Sequence, residues 1–106
     1  MHSESSGLLG ALGLCRKAGK LLYGYDRVEE AVLRGKVSLV LLACDASART
    51  AQHMMDTCEG TVACEVMPLT GEELALLTPR PAAVFAVTEA NLARLCANYQ
   101  IGRAHV

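Results

Sequence analysis

The chain has few aromatic residues: among its 106 residues there are no tryptophans, one phenylalanine and three tyrosines. Because 52% of the residues are hydrophobic and only 4% are aromatic, the core must be built mainly from aliphatic side chains. Charged residues make up 20% of the chain, and this composition excludes an intrinsically disordered protein. The length predicts a single domain covering residues 1–106.

The chain also lacks a net charge that would draw it as a whole to nucleic acid or to an anionic membrane, since its formal charge is −1. The charges are separated along the chain. Residues 15–36 carry six cations against three carboxylates, and residues 45–73 carry one cation against six. The basic segment can form a local anion-binding face, or it can be a solvated surface. The apolar run at residues 37–44 is far shorter than the roughly 20 residues that span a bilayer, so we expect no membrane partner.

The five cysteines are an odd number at irregular spacing, which indicates reduced core residues of a cytoplasmic protein. Cys58 and Cys64 have no second close-set pair, so the sequence predicts no metal site. Arg16 and Lys17 follow Cys15 and can lower the pKa of its thiol. The apolar helical position of Cys15 nevertheless favours an inert core residue over a nucleophile.

No cofactor-binding loop is complete in the sequence. The segment GLCRKAGK resembles a phosphate-binding loop, but five residues separate Gly13 from Gly19. Leu21 also stands where the magnesium-binding hydroxyl is required. Because the sequence shows no nucleophile–base pair either, we expect neither an enzyme nor a bound cofactor.

Apolar periodicity and capping residues predict alternating helices and buried strands, and therefore a three-layer α/β/α sandwich. Three glycines in the first helix, Gly7, Gly10 and Gly13, predict a flat face for close packing. The predicted central strand is VSLVLLAC. Predicted helix caps are Ser5 or Ser6, Asp26, Ser47, Thr70 and Thr88, and the predicted strands cover residues 37–44, 62–66 and 83–87.

The entry to the second helix is the first candidate binding site. Gly24 can act as a hinge before a helix amino terminus, whose unpaired amides attract phosphate. Tyr25 can stack on an unpaired base, and Arg27 can add a charge-assisted contact. The alternative is an ordinary capped surface helix with a solvated arginine. Asp45 closes the central strand, where it either borders a ligand site at the sheet edge or assists in capping the third helix.

Five features follow one another over residues 8–96: LGLCRKAGKL, a glycine before a helix ending in Arg-Gly, VSLVLLACDAS, MPLTGEEL and AVFAVTE. Together they resemble the L-seven-Ae (kink-turn-binding) ribosomal protein family, and most closely its small bacterial YlxQ-like branch. The resemblance implies a three-layer α/β/α sandwich with a mixed four-stranded sheet. It also implies binding of kinked RNA helices without catalysis.

The RNA-reading motif of this family, Gly-x-Asn-Glu-x-x-Lys, falls on Gly24, Asp26, Arg27 and Glu30, so that only the glycine is kept. The second contact implied by the resemblance is an apolar loop over an extruded nucleotide, which matches residues 78–81. From the residues and the resemblance together, the candidate RNA-binding residues are Lys20, Gly24, Tyr25, Asp26, Arg27, Glu30, Asp45, Pro79 and Arg80, with Lys20 and Arg80 on phosphates.

The sequence thus predicts a non-catalytic protein that docks structured, kink-turn-like RNA. Ribosomal RNA and proteins of the translation machinery are the expected partners. The alternative is a protein-interaction module on the same fold that has lost kink-turn recognition. This alternative is motivated by the near-neutral charge and by the carboxylates at Asp26 and Glu30.

Overall fold

The computed structural model describes residues 3–104, with side chains for residues 7–99. Helices and strands alternate along this part of the chain. No helix within it is long and apolar enough to cross a membrane. The elements are α1 (Ser3–Lys17), β1 (Leu21–Tyr23), α2 (Tyr25–Leu33), β2 (Leu39–Leu42), α3 (Ala48–Cys58), β3 (Cys64–Val66), α4 (Gly71–Leu74), β4 (Val84–Val87) and α5 (Ala90–Ala104).

The four strands form one mixed sheet in the order β1-β4-β2-β3. Strand β4 pairs antiparallel with both β1 and β2, whereas β2 and β3 are parallel. The predicted central strand does lie inside the sheet as β2. The short apolar segment Leu21–Tyr23, which the residue pattern did not assign to a strand, forms the edge strand β1.

Helices cover both faces of the sheet, which confirms the predicted three-layer sandwich. Every residue of β2 and β4 is buried, and successive side chains alternate between two cores. Leu41 and Phe85 face α1 and α5, while Val40 and Val84 face α2 and α3. The helices supply aliphatic and sulfur side chains to these cores, among them Leu8, Leu12, Cys15 and Cys96 on one face and Val28, Val32, Met54 and Cys58 on the other.

Two predicted caps are confirmed. The Ser47 side chain accepts a hydrogen bond from the Thr50 amide at the start of α3. Thr70 and Glu73 form a reciprocal capping box at α4. Both motifs lie within four consecutive residues, which is why local sequence predicts them.

The predicted cap of α5 is wrong. The carboxylate of Glu89, rather than the hydroxyl of Thr88, accepts a hydrogen bond of 2.7 Å from the Leu92 amide. The backbone and side chain of Thr88 both donate to the carbonyl of Lys20, the residue that precedes β1. This long-range contact holds Thr88 outside the helix.

The prediction for the first helix is also corrected. Helix α1 begins at Ser3, so Ser5 and Ser6 lie inside it and do not cap it. A Cβ atom added at Gly7 would overlap the ring of Tyr99 on α5, whereas Gly10 faces open space. Gly13 also has no neighbour within 4 Å of such an atom. Close packing therefore depends on the first glycine of the three.

Candidate nucleic-acid interface

A glycine in a left-handed conformation joins β1 to α2. Gly24 has φ 101° and ψ 137°, and its amide donates to the Val84 carbonyl at 3.0 Å. It is also the N-cap of α2, so the prediction that Asp26 caps this helix is wrong. Glycine has no side chain to cap the amides of the first turn. Among the side chains of residues 7–99, no other one accepts hydrogen bonds from these amides, which are therefore open to a ligand.

A groove of about 520 Å³ lies between this junction and the loop that precedes β4. We call it the arginine groove. Its two walls come from sequence segments far apart, which meet because Tyr23 at the end of β1 pairs with Phe85 at the start of β4. The groove is lined by Tyr23, Gly24 and Arg27 on one wall and by Pro79, Arg80 and Pro81 on the other.

The second wall has a fixed shape. Two prolines restrict the backbone of the loop on either side of Arg80. Thr78 is buried, and its hydroxyl donates a hydrogen bond of 2.6 Å to the Arg80 carbonyl. This internal hydrogen bond uses the backbone of Arg80, whose exposed side chain lines the groove.

The aromatic residue in the groove is Tyr23 rather than the predicted Tyr25. The ring of Tyr23 is half-buried and lies 6.5 Å from the ring of Phe85. Tyr25 packs against the opposite core, and its hydroxyl lies 3.2 Å from Nδ1 of His53 on α3. Tyr23 was not among the predicted site residues, although its position directly before a hinge glycine could have indicated it.

The cations of the groove continue along α2. Arg27 lines both the arginine groove and a second, smaller hollow of about 230 Å³, which we call the basic hollow. Arg34 and Lys36 are the other cations of the basic hollow, which also includes the carboxylate of Glu30. Glu30 pairs with Arg34 at 3.1 Å, so its negative charge is compensated locally. Asp26 is exposed on the first turn of α2 and does not line either space.

Asp45 is tied to the amino end of α4. Its carboxylate accepts a hydrogen bond of 2.9 Å from the Gly71 amide. It lines a shallow hollow that shares Pro81 with the arginine groove. Because Ser47 caps α3, Asp45 does not have the alternative role of capping that helix. This hydrogen bond links the segment after β2 to the start of α4, beside the loop that forms the second wall.

Lys20 is another predicted site residue that does not line the arginine groove. It precedes β1, whereas the groove lies at the other end of that strand. At about 3.3 Å per residue, four residues of extended chain separate Lys20 from Gly24 by about 13 Å. Lys20 instead lies near Glu89, whose pKa is lowered mainly by hydrogen bonds from the Leu92 and Asn91 amides and further by the lysine.

The model of the Ribosomal protein L7Ae/L30e/S12e/Gadd45 family matches residues 7–97, which is most of the chain. The chain belongs to this family. The segments that form both walls of the arginine groove lie within the matched residues of this L7Ae-family member.

Solved structures share the fold of this L7Ae-family member. A protein with unknown function from Bacillus halodurans is 29% identical, with a TM-score of 0.79 over 87% of this chain and 94% of that one. The Giardia lamblia 15.5kD RNA binding protein is 21% identical, with a TM-score of 0.73 over 97% of this chain and 88% of that one. The second likeness shows the fold alone. No curated protein matches the chain.

Two buried thiols of this L7Ae-family member, Cys15 and Cys96, are poor nucleophiles. Cys15 and Cys96 are fully buried between α1 and α5, with their sulfur atoms 3.8 Å apart. Burial raises the pKa of Cys15, and it raises the pKa of Cys96 to about 12. Both thiols are therefore protonated at neutral pH, which favours the interpretation of Cys15 as an inert core residue.

Among the described residues, no three His, Cys, Asp or Glu side chains are grouped to hold a metal ion.

Proposed function

We propose that this chain binds structured RNA of the kink-turn type in the arginine groove, without catalysing a reaction. Membership of a ribosomal protein family supports RNA as the ligand. The observation that carries the proposal is that the hinge at Gly24 and the loop at residues 78–81 form the two walls of one groove. The resemblance implied contacts at both segments, and the sheet pairing brings them together.

The groove combines the two features that an unpaired nucleotide needs. Tyr23, Pro79 and Pro81 offer apolar surface against which a base can pack, as RNA-binding proteins commonly use aromatic side chains. Arg27 and Arg80 offer planar cations for the phosphates on either side of that base. Recognition of this kind depends on an RNA shape that exposes a nucleotide.

The basic hollow extends the same surface along α2. Lys36 lies beyond Arg27, so a phosphate backbone that leaves the groove meets a further cation in this direction. The family motif has a lysine at the position of Glu30. In our proposal, Arg27 and Lys36 supply the positive charge of that lysine. The negative charge of Glu30 is already paired with Arg34.

We further propose that the chain belongs to the bacterial YlxQ-like branch. Its RNA ligand is ribosomal RNA, and its protein partners belong to the translation machinery. The 29% identity to a protein of Bacillus halodurans over 94% of that chain supports a bacterial branch. The ribosomal description of the family supports the choice of RNA. The exposed carboxylate of Asp26, which replaces the amide of the family motif, favours the second candidate, a protein-interaction module that has lost kink-turn recognition.

A titration against two RNAs tests the proposal. One RNA contains a kink-turn, and the other lacks the purine pairs that form the kink. Fluorescence anisotropy of labelled RNA is measured at two salt concentrations. We expect salt-sensitive binding of the kinked RNA and weaker binding of its partner. Equal affinity for both RNAs contradicts kink-turn recognition, and absence of binding to both favours the protein-interaction module.

A further inference from the structure

Two helices on opposite faces of the sheet end in the same way. Helix α1 ends just before Gly19 and α2 just before Gly35, with φ 72° and 71° at these glycines. The next residue is a lysine in both cases. The amides of Lys20 and Lys36 each donate to a carbonyl five residues back, in the last turn of the helix. In this helix ending a left-handed glycine turns the chain out of the helix and towards the following strand.

The sheet brings these two endings to one end of the molecule. Strands β1 and β2 both pair antiparallel with β4, so they run in the same direction and begin at the same end. The Lys20 carbonyl accepts the Thr88 amide, and the Ser38 amide donates to the Val87 carbonyl. Two strand spacings, about 10 Å, separate β1 from β2. We call this region the basic end. Its exposed cations are Arg16, Lys17, Lys20 and Lys36.

Most of the positive charge at the basic end has no carboxylate beside it. Within residues 7–99, Arg16, Lys17 and Lys36 form no salt bridge. Lys20 is the exception in part, because it lies near the carboxylate of Glu89. Arg16 and Lys17 are therefore the cations of α1 that an anionic ligand can neutralise.

A third junction at this end of the sheet shows that cations are not needed for the turn itself. Helix α3 also ends before a left-handed glycine, Gly60 with φ 75°, and leads into β3, which is parallel to β2. The residues on either side of this glycine are Glu59 and Thr61. Positive charge therefore occurs at the junctions of β1 and β2, whereas that of β3 carries a carboxylate.

The basic end is continuous with the surface that we propose for RNA. Lys36 lines the basic hollow together with Arg27, and Arg27 also lines the arginine groove. About 13 Å of extended chain separates Gly24 at the groove from Lys20 at the basic end. An RNA stem that leaves the groove along the basic hollow therefore reaches the basic end.

We propose that the basic end binds the phosphate backbone of an RNA stem that continues from the kink, with Arg16 and Lys17 as the contacting cations. This inference rests on the proposed function and extends binding from the kink to the adjoining double helix. Continuity with the arginine groove favours RNA over an acidic protein, because a stem carries phosphates along its whole length. Such contacts position the stem without reading its sequence.

The test compares two RNAs that contain the same kink-turn. One has stems of four base pairs, each closed by a loop, and the other has stems of twelve base pairs. Fluorescence anisotropy gives the affinities at four salt concentrations. Two additional phosphate contacts steepen the slope of log affinity against log salt by about 1.4–1.8. We expect this steeper slope for the long RNA, and at least about tenfold tighter binding at low salt.

A variant with Arg16→Ala and Lys17→Ala locates the additional contacts. Both residues are exposed and line neither the arginine groove nor the basic hollow. We expect this variant to lose the tenfold gain and the steeper slope of the long RNA, and to bind the short RNA as the unmodified chain does. The matched control, Arg49→Ala with Arg94→Ala, removes two exposed arginines from α3 and α5. It is expected to keep the gain.

Several outcomes overturn the inference: equal affinity of the two RNAs, a gain that persists without Arg16 and Lys17, or an equal loss in the control. Thermal unfolding is measured on the same samples, because cations in the last turn of a helix also stabilise its dipole. A lower unfolding temperature with the full gain retained assigns both side chains to the helix alone. If neither RNA binds, the proposed function fails as well, whereas binding of the short RNA without a gain for the long one overturns this inference alone.

Discussion

Removal of the two groove arginines is the most informative perturbation of the proposed interface. Arg27→Ala and Arg80→Ala each delete one exposed cation, from opposite walls of the groove. Neither side chain forms a salt bridge within residues 7–99. The bond from Thr78 is made to the Arg80 backbone, so alanine retains it. We expect each substitution to change the free energy of unfolding by less than about 0.5 kcal/mol.

The expected loss of RNA affinity is much larger than this change in stability. A charge-assisted contact between an arginine and a phosphate is worth about 1–2 kcal/mol at an exposed site, or about five- to thirtyfold in Kd. Each lost phosphate contact also reduces the slope of log affinity against log salt by about 0.7–0.9. The double variant is expected to reduce that slope by about twice as much.

The assay is fluorescence anisotropy of the labelled kink-turn RNA at four salt concentrations, with thermal unfolding measured on the same samples. The matched control is Arg94→Ala, which removes an exposed arginine of α5 that lines neither the arginine groove nor the basic hollow. We expect this control to bind as the unmodified chain does. Unchanged affinity and salt slope in both groove variants, or an equal loss in the control, would refute the assignment of the interface.

Three further predictions concern the scaffold. Gly24→Ala is expected to destabilise the fold by about 1–3 kcal/mol and to weaken RNA binding, because φ is 101° at this residue; urea unfolding and the RNA titration measure the two effects. Gly7→Ala is expected to lower stability by overlap with Tyr99, whereas Gly10→Ala raises it by about 0.5–1 kcal/mol; equal increases in thermal unfolding temperature would contradict the packing described. The lowered pKa of Glu89 predicts a stabilisation that is present above its unfolded pKa of about 4.3 and lost as the pH falls through the folded pKa. Glu89→Gln is expected to remove this part of the pH dependence, and urea unfolding from pH 3 to pH 7 measures it.

The sequence predicted those parts of the fold that local patterns specify. The capping residues Ser47 and Thr70 act within one helical turn, and both were found. Thr88 was misassigned because its partner, Lys20, is 68 positions away in the chain. Strand β1 is only three residues long and belongs to the sheet through its pairing with β4, so no pattern within it distinguishes it from a loop.

In the candidate site, too, features set by local sequence were predicted and those set by long-range pairing were not. Gly24 was predicted from its place before a helix, and its positive φ agrees with that role. The orientation of the tyrosines depends on which side of β1 and α2 faces the groove, and only the sheet pairing determines this. Tyr23 therefore takes the place expected for Tyr25. Lys20 was placed on the interface from its charge, but the direction of β1 puts it at the far end of the strand.

The location of bound RNA is the most direct test of the account. Kink-turn RNA is added to ¹⁵N-labelled protein, and amide shifts are followed along the chain. We expect the largest changes at Gly24, Arg27 and Arg80, with little change at Lys20 and Glu59. Largest changes at Lys20 or Glu59, with the arginine groove unaffected, would contradict it.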